Sequence, residues 1–301
     1  MDLKTQNLKK ISVQKKIVRS FFNRTSERWD NLYSGESFIN LHMSERKKIV
    51  LDLVEEYSNG NRLKILDLGC GSGILTKELV NRGHAVSGAD IAEEMITLLN
   101  RSLSKDIARN YKGAVICDAG NISFAKSSFD VVLCIGLLQY QLRDDKILRE
   151  IARVLSEDGI CIVTFPNLLR LNYFFDPLFY FKYIFRLTKK ELSKIKKFFN
   201  KGPKIATLSG SFQDYYPYDK KYYFSNIKKM ISENQLYMKK VVPFGYGPFT
   251  VLNKQLFPDS LSFSINMSIN RFASKSKLRL FNYIANRWVC VVKKDHLEKD
   301  N

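Results

Sequence analysis

A short apolar run that leads into three closely spaced glycines constrains the fold of this chain more than any other feature. Residues 64–76 read KILDLGCGSGILT, with glycines at positions 69, 71 and 73. The run before the glycines is typical of a buried parallel strand, and the apolar residues after them fall at helical spacing. A strand, a glycine turn and a helix bring backbone close to a ligand at the N-terminus of the helix. The segment therefore predicts a ligand-binding turn in an α/β sheet.

The spacing of these glycines excludes two common phosphate-binding turns. Dinucleotide sites follow the pattern G-x-G-x-x-G, and the P-loop follows G-x-x-x-x-G-K-[ST]. Here the glycines read G-x-G-x-G, and no lysine comes directly after the last of them. The turn is therefore not predicted to hold a phosphate group.

From the strand before this turn onward, strands and helices alternate. The predicted strands are 64–68, 85–89, 113–117, 129–135 and 160–165, and the predicted helices between them are 73–82, 92–103 and 143–155. A helix at 224–234 and strands at 236–242 and 287–293 follow later. Such repetition indicates a parallel sheet with helices on both faces, which is a Rossmann-like, doubly wound α/β fold.

Asp67 stands two residues before the first glycine, and Asp-x-Gly-x-Gly-x-Gly resembles motif I of the class I S-adenosylmethionine (SAM) methyltransferases. The stretches SFDVVLCIGLLQY at 128–140 and IARVL at 151–155 resemble, more narrowly, the ubiquinone/menaquinone-biosynthesis type. The resemblance covers roughly 60–166 well and 222–243 weakly. It implies a seven-stranded, mostly parallel sheet whose last two strands form an antiparallel pair.

The resemblance also implies SAM as cofactor and S-adenosylhomocysteine (SAH) as its product. Because SAM has no phosphate, its methionine end would rest against backbone that the glycines leave open, near the positive end of a helix dipole. Asp90, at the end of the second strand, would accept both ribose hydroxyls, and Ile91 would pack on the adenine. Asp118 and Ala119 would lie at the adenine amino edge. The predicted cofactor-binding residues are Asp67, Gly69, Cys70, Gly71, Gly73, Asp90, Ile91, Asp118, Ala119, Ile135, Trp29, Tyr33 and Arg46.

The last three of these belong to a predicted N-terminal helical cap, residues 1–60. An amphipathic helix over 8–22 and a helix over 45–57 capped by Ser44 are expected there. We predict that the cap folds over the SAM site, with Trp29 and Tyr33 near the methionine end and Arg46 as a carboxylate partner. The alternative is a pair of packing helices remote from the site.

The candidate catalytic residues are Tyr140 and His42. An oxygen nucleophile usually needs a base, and the resembled group often has His where Tyr140 stands. A packed tyrosine and a surface histidine are the alternative interpretations. No metal site is expected, because the chain has only three His and its five Cys share no C-x-x-C spacing. We read these cysteines as reduced core residues of a cytosolic protein.

The chain carries a net charge of +19, and most of it lies in the second half. The first 150 residues hold 23 Lys+Arg against 19 Asp+Glu, and the remainder holds 26 against 11. This imbalance indicates an anionic surface, polymer or substrate as partner, with solvated lysine-rich faces as the alternative. Within it, residues 168–221 are aromatic and basic. We predict that 168–201 forms a substrate lid that also touches an anionic membrane surface, the alternative being a hydrophobic subdomain packed on the sheet.

These observations divide the chain into a cap at 1–60, a SAM-binding core at 61–167, the lid insertion at 168–221 and the end of the core at 222–301 with an insertion at 245–285. The predicted activity is O-methylation of a lipid, an isoprenoid or a lipid-linked saccharide. The alternatives are an RNA methyltransferase, which lacks support from any recognisable RNA-binding module, and a non-catalytic SAM-binding interaction protein. We expect a cytoplasmic protein at the inner face of a membrane. The oligomeric state stays open.

Overall fold

The structure is a computed structural model of the 301-residue chain. It describes residues 3–33, 35–103, 109–171, 176–177, 217, 219–251, 254–276 and 280–295. Apart from 168–171 and 176–177, the predicted lid over 168–201 lies outside the described residues.

Seven strands form one sheet in the order β3-β2-β1-β4-β5-β9-β6. They are β1 Lys64–Leu68, β2 Ala85–Asp90, β3 Tyr111–Ile116, β4 Phe129–Cys134, β5 Leu155–Pro166, β6 Leu236–Phe244 and β9 Arg287–Lys294. All run in one direction except β9, which pairs antiparallel with both β5 and β6. This confirms the predicted Rossmann-like sheet, including the antiparallel last strand. Two short strands, β7 Thr250–Val251 and β8 Lys254–Gln255, make a separate hairpin.

Alternate residues of the central strands pack on opposite faces of the sheet. Val132 and Cys134 of β4 belong to one buried cluster, together with Trp288. Val131 and Leu133 belong to a second cluster on the other face. Side chains alternate across a strand with a period of two, so a strand that is apolar throughout needs cover on both sides. This is the reason why the chain supplies helices to both faces.

The helices that connect the parallel strands lie within a few residues of their predicted positions. They are α4 Ile74–Asn81, α5 Glu93–Ser102, α6 Asp144–Val154 and α7 Phe224–Ser232. Before the sheet come α1 Leu3–Arg24, α2 Ser26–Asp30 and α3 Phe38–Ser58. The insertion at 245–285 contains α8 Asp259–Lys275 and α9 Leu280–Ile284, where the sequence predicted no helix. Short 3₁₀ turns occupy Asn31–Tyr33 and Leu138–Tyr140.

The start of α3 differs from the prediction. Ser44 does not cap it, because the helix begins two turns earlier and Ser44 lies inside it. The cap is Ser37, whose hydroxyl accepts a hydrogen bond from the backbone N–H of Asn40 at 3.3 Å. Asn59, in the left-handed region at φ 46°, follows the last helical residue and ends the helix.

The insertion at 245–285 packs α8 against α3 through a polar contact. Glu45 of α3 accepts hydrogen bonds from the side-chain amides of Asn266, at 3.2 Å, and Asn270. Asn266 also accepts the backbone N–H of Tyr246 at 2.7 Å, so this buried contact is satisfied on both sides. In the described part of the chain, no helix is both long and apolar enough to cross a membrane.

Candidate functional site

A cavity opens at the carboxyl ends of β1, β2 and β4, beneath the N-terminal helices α1, α2 and α3. Its lining draws residues from the N-terminal helices, from the turn after β1 and from the ends of several strands. Every predicted cofactor-binding residue except Gly73 lines it, and so does Tyr140. Carboxyl ends of parallel strands meet at one edge of a sheet, which is why residues so far apart in sequence converge here.

The three glycines of the turn after β1 all have positive φ, but they differ in what surrounds them. A Cβ at Gly69 would lie 2.6 Å from Cδ1 of Leu137, and one at Gly73 would overlap Cδ1 of Leu99. A Cβ at Gly71 would meet only Sδ of Met95, at 3.9 Å. Packing within the protein therefore demands glycine at 69 and 73, while Gly71 presents open backbone to the cavity.

The carboxylate of Asp90 ties the glycine turn to the end of β2. One oxygen accepts the backbone N–H of Gly71 at 3.0 Å, and the other accepts that of Ala92 at 2.8 Å. Burial raises the pKa of this carboxyl group against the opposing effect of the two hydrogen bonds. Each carboxylate oxygen retains a further lone pair, so Asp90 can still accept hydrogen bonds from a ligand in the cavity.

Asp67 lies deeper, almost fully buried at the end of β1. It accepts a hydrogen bond from the hydroxyl of Thr76 at 2.7 Å. Burial, with a smaller contribution from the charge of Asp90, raises the pKa of Asp67 to about 6. Asp67 therefore changes its charge in a pH range in which few Asp side chains titrate.

Helix α1 crosses the opposite end of the cavity and is attached there by polar contacts. Lys15 forms an ion pair with Asp118, which also accepts the backbone N–H of Gly120 at 3.0 Å. Burial would raise the pKa of Asp118, but the contacts with Lys15 and Gly120 outweigh it and lower the pKa overall. Gln14 donates a hydrogen bond from Nε2 to the backbone carbonyl of Tyr140 at 3.1 Å.

Aromatic rings and one arginine complete the lining. Phe22 lies with its ring centroid 5.5 Å from that of Trp29 and 5.3 Å from that of Tyr140. Arg46 of α3 donates from Nη2 to the hydroxyl of Tyr33 at 2.5 Å. Its Nε is buried and has no hydrogen-bond partner among the described residues.

The core of the chain matches a known family. Residues 66–163 match the model of a family described as a methyltransferase domain. Over these residues the chain is similar to a methyltransferase domain, and its sheet has the arrangement of the class I SAM-dependent methyltransferase fold. A ubiquinone biosynthesis O-methyltransferase of Neisseria meningitidis serogroup C is 28% identical over 162 residues, which are 53% of this chain and 65% of that protein. The chain spans less than two thirds of the length of the first curated relatives it matches.

Solved structures share the fold of this methyltransferase domain at low identity. Magnesium protoporphyrin IX methyltransferase from Synechocystis PCC 6803, crystallised with SAH, superposes with a TM-score of 0.55 at 18% identity, over 93% of this chain and 100% of that one. The [4+2]-cyclase SpnF gives the same TM-score at 12% identity, over 92% of this chain and 96% of its own. Since one of these proteins is named a cyclase, the fold alone does not determine the reaction.

Two of the predicted site residues lie outside the cavity lining. His42 does not line the cavity, because its ring is buried between Phe38 and Phe244, with centroids 6.1 and 5.0 Å away. Burial lowers the pKa of His42. It is therefore neither the predicted catalytic residue nor a surface histidine, but part of the core. Gly73 is the second, and its side of the turn faces Leu99 instead.

Sequence reasoning missed Arg287, which begins β9 and lines the cavity. Because β9 runs antiparallel to β5, its first residue pairs with Pro166, the last residue of β5. Arg287 donates from Nη1 to the side-chain oxygen of Gln139 at 2.9 Å. Burial, and next the charge of Arg46, lower the pKa of Arg287 to about 10, so it stays protonated at neutral pH. The sequence did contain a signal for this residue. An arginine at the start of a final strand that runs antiparallel is expected at the same sheet edge as the carboxyl ends of the parallel strands.

Proposed function

We propose that the protein transfers the methyl group of SAM to an oxygen atom of a lipid, an isoprenoid or a lipid-linked saccharide. The observation that carries methyl transfer is the open backbone at Gly71, tied to the Asp90 carboxylate at the floor of a largely apolar cavity. A phosphate-bearing cofactor would need cations or a longer glycine loop at this turn. SAM carries no phosphate and therefore needs neither.

The residues around the cavity suit the separate parts of SAM. Asp90 retains acceptor capacity for ribose hydroxyls, and Ile91 and Ala119 offer apolar surface for adenine. Arg46 is a buried cation whose Nε has no partner in the described chain, which suits the methionine carboxylate. These assignments are parts of the proposal.

SAM would supply an already activated methyl group, so the chain has only to position an acceptor and exclude water. Phe22, Trp29 and Tyr140 form an aromatic wall over the cavity that can do both. Such alignment is worth roughly 7–11 kcal/mol. Tyr140 is the proposed side chain beside the acceptor oxygen, and the binding of Gln14 to its backbone carbonyl holds it against α1.

The proposed acceptor class rests on two observations. The lining is mainly apolar, and curated relatives include proteins named ubiquinone biosynthesis O-methyltransferases. RNA methylation and SAM binding without catalysis are the competing functions. Incubation with methyl-labelled SAM distinguishes the three, because label would enter a solvent-extractable lipid, enter RNA, or stay in SAM.

Calorimetric titration with SAM tests the cofactor assignment. Asp90→Ala removes charge-assisted hydrogen bonds of roughly 1.5–3 kcal/mol, so we expect affinity to fall about tenfold to 100-fold. Asp130→Ala is a matched control. Asp130 is also a strand carboxylate that accepts a backbone N–H, that of Lys64 at 2.8 Å, but it lies outside the cavity lining. Equal affinity of wild type and Asp90→Ala would contradict the assignment.

A further inference from the structure

Two arginines approach the same part of the cavity from different elements of the fold. Arg46 comes from α3, and Arg287 comes from the first position of β9. Among the described residues, neither has a carboxylate within ion-pair distance. Asp219 acts on Arg287 only from farther away. Two cations without an anion are unfavourable in a partly buried site. The methionine carboxylate of SAM would offset the charge of Arg46, so Arg287 indicates a second place for negative charge.

The guanidinium of Arg287 has hydrogen-bond donors that the described residues do not use. A guanidinium carries five N–H donors, and the described residues engage it through one hydrogen bond, from Nη1 to Gln139. Nε and Nη2 make no hydrogen bond to the described residues, and neither is a fully buried atom. Both belong to a side chain that lines the cavity. A fork of this geometry suits an oxyanion with two oxygens in one plane.

The position of Arg287 separates it from the part of the site proposed for the cofactor. Asp90 and Asp118 lie at β2 and just after β3, and the glycine turn follows β1. In the sheet order β3-β2-β1-β4-β5-β9, Arg287 stands three strands beyond β1. Neighbouring strands are about 4.8 Å apart, so this distance is roughly 14 Å along the sheet edge. Arg287 therefore lies on the far side of the cavity, beside Gln139 and Tyr140.

We propose that Arg287, oriented by Gln139, binds an anionic oxyacid group of the acceptor substrate. The proposal rests on the proposed methyl transfer and narrows its substrate class to acceptors that carry a carboxylate or a phosphate near the reacting oxygen. The net charge of +19 fits the same chemistry, because it draws anionic ligands toward the protein. A neutral isoprenoid or sterol-like acceptor would leave Arg287 unused.

The test uses small probes with the full-length protein saturated with SAH. Benzoate and benzamide have nearly the same shape but differ in charge, and phenyl phosphate replaces the carboxylate with a phosphate. Their affinities are measured by calorimetry or ligand-observed NMR at one fixed ionic strength. We expect one of the two anions to bind at least about tenfold more tightly than benzamide, since charge-assisted hydrogen bonds distinguish them. Which anion binds more tightly distinguishes a carboxylate site from a phosphate site.

Three variants locate the effect. Arg287→Gln should reduce the affinity for the preferred anion about tenfold or more and leave SAH affinity within about twofold of wild type. Gln139→Glu should also weaken anion binding, because a carboxylate placed against Arg287 occupies its donors. Arg101→Gln removes the same charge from an exposed position of α5, outside the cavity lining, and should leave both affinities unchanged.

Two results would overturn the inference. One is equal affinity of wild type for benzoate, phenyl phosphate and benzamide, which does not depend on any variant folding. The other is a loss of SAH affinity in Arg287→Gln with the preference for anions retained, which would assign Arg287 to the cofactor. Failure of wild type to bind SAH would instead count against the proposed function, and the anion preference can then be measured without SAH.

Discussion

The glycines of the turn after β1 have separable roles, which substitution can distinguish at the scale of single residues. Gly73→Ala should destabilise the fold, because the new Cβ overlaps Leu99 and such overpacking costs roughly 1–3 kcal/mol. Gly60 has the same φ of +82°, and a Cβ there would meet nothing within 4 Å, so Gly60→Ala reports the backbone cost alone. The free energy of unfolding from urea titration measures the difference. Equal destabilisation by both would rule out the packing role of Gly73.

Asp67 predicts a pH dependence of stability. Its pKa of about 6 in the folded protein exceeds the ordinary value of 3.8, so between these values the folded state holds a proton that the unfolded state has lost. Its contribution to stability is therefore greatest below about pH 4 and declines as the pH rises to about 6. Asp67→Asn keeps an acceptor for Thr76 and removes the charge. It should stabilise the cofactor-free protein at pH 8 by up to about 3 kcal/mol.

Thermal or urea unfolding of the Asp67→Asn variant at pH 4.5 and pH 8 measures this effect. The gain over wild type should shrink toward pH 4.5. Asp52→Asn, at an exposed position of α3, removes the same charge and controls for net charge. A gain that is independent of pH would contradict the proposed burial effect.

At the scale of elements, α1 acts as a cap held down at the Asp118 end of the cavity. Lys15→Met removes the ion pair with Asp118 and should speed release of SAH by up to about fivefold at low salt, since a partly exposed pair is worth up to about 1 kcal/mol. Lys16→Met changes the next, exposed lysine of the same helix and is the matched control. Trp29 lines the cavity while Trp288 is fully buried, so stopped-flow tryptophan fluorescence can follow release.

The outcome that would contradict the cap is an unchanged release rate in Lys15→Met.

A second measurement covers the whole element. Deletion of residues 1–40 should abolish activity, because it removes Phe22 and Trp29 from the wall of the cavity. A truncated protein that is folded and fully active would exclude the cap as part of the site.

At the scale of the whole molecule, charge and exposed apolar side chains favour an anionic surface as partner. The chain has a net charge of +19, and Leu261 and Phe272 of α8 are exposed, as is Phe257 just before it. We expect co-sedimentation with vesicles that contain about one third anionic lipid at low salt, and release near 0.5 M salt, where the Debye length is only about 4–5 Å. Purely zwitterionic vesicles are the control. Absence of vesicle binding at low salt would exclude the membrane partner.

The predicted lid at 168–201 can be tested in the same assay. Its aromatic residues lie outside the described part of the chain. Replacement of Phe174, Phe175, Phe179 and Phe181 with Ser should reduce vesicle binding and acceptor turnover and leave SAM affinity unchanged. Tight, steeply salt-dependent binding to a polynucleotide in place of vesicles would favour the RNA alternative.

Much of this molecule is determined by local patterns in the sequence. Apolar runs and helical spacing placed most ends of the strands and of the helices that connect them within a few residues, because strand and helix periodicities are local properties. The start of β5 is an exception, since the strand begins at Leu155 and the sequence predicted it only from 160. The strand ends also placed Asp67, Asp90 and Asp118 together, since parallel strands end at a common edge. The start of α3 was misplaced because Ser37 and Ser44 are both plausible caps when the contacts of the preceding segment are unknown.

Only the tertiary structure decided the contacts between distant segments. Arg287 reaches the cavity through the antiparallel course of β9, more than 140 residues after Gln139, its hydrogen-bond partner. The helical pattern around His42 does not decide whether its side chain is exposed or buried. The packing of Phe38 and Phe244 on its ring buries it. Gly69 and Gly73 were both predicted to face the ligand, but only Gly69 lines the cavity, and Leu137 and Leu99 fill the space that a Cβ at Gly69 and at Gly73 would occupy. Packing between distant side chains has no period along the sequence, so local sequence patterns cannot predict these contacts.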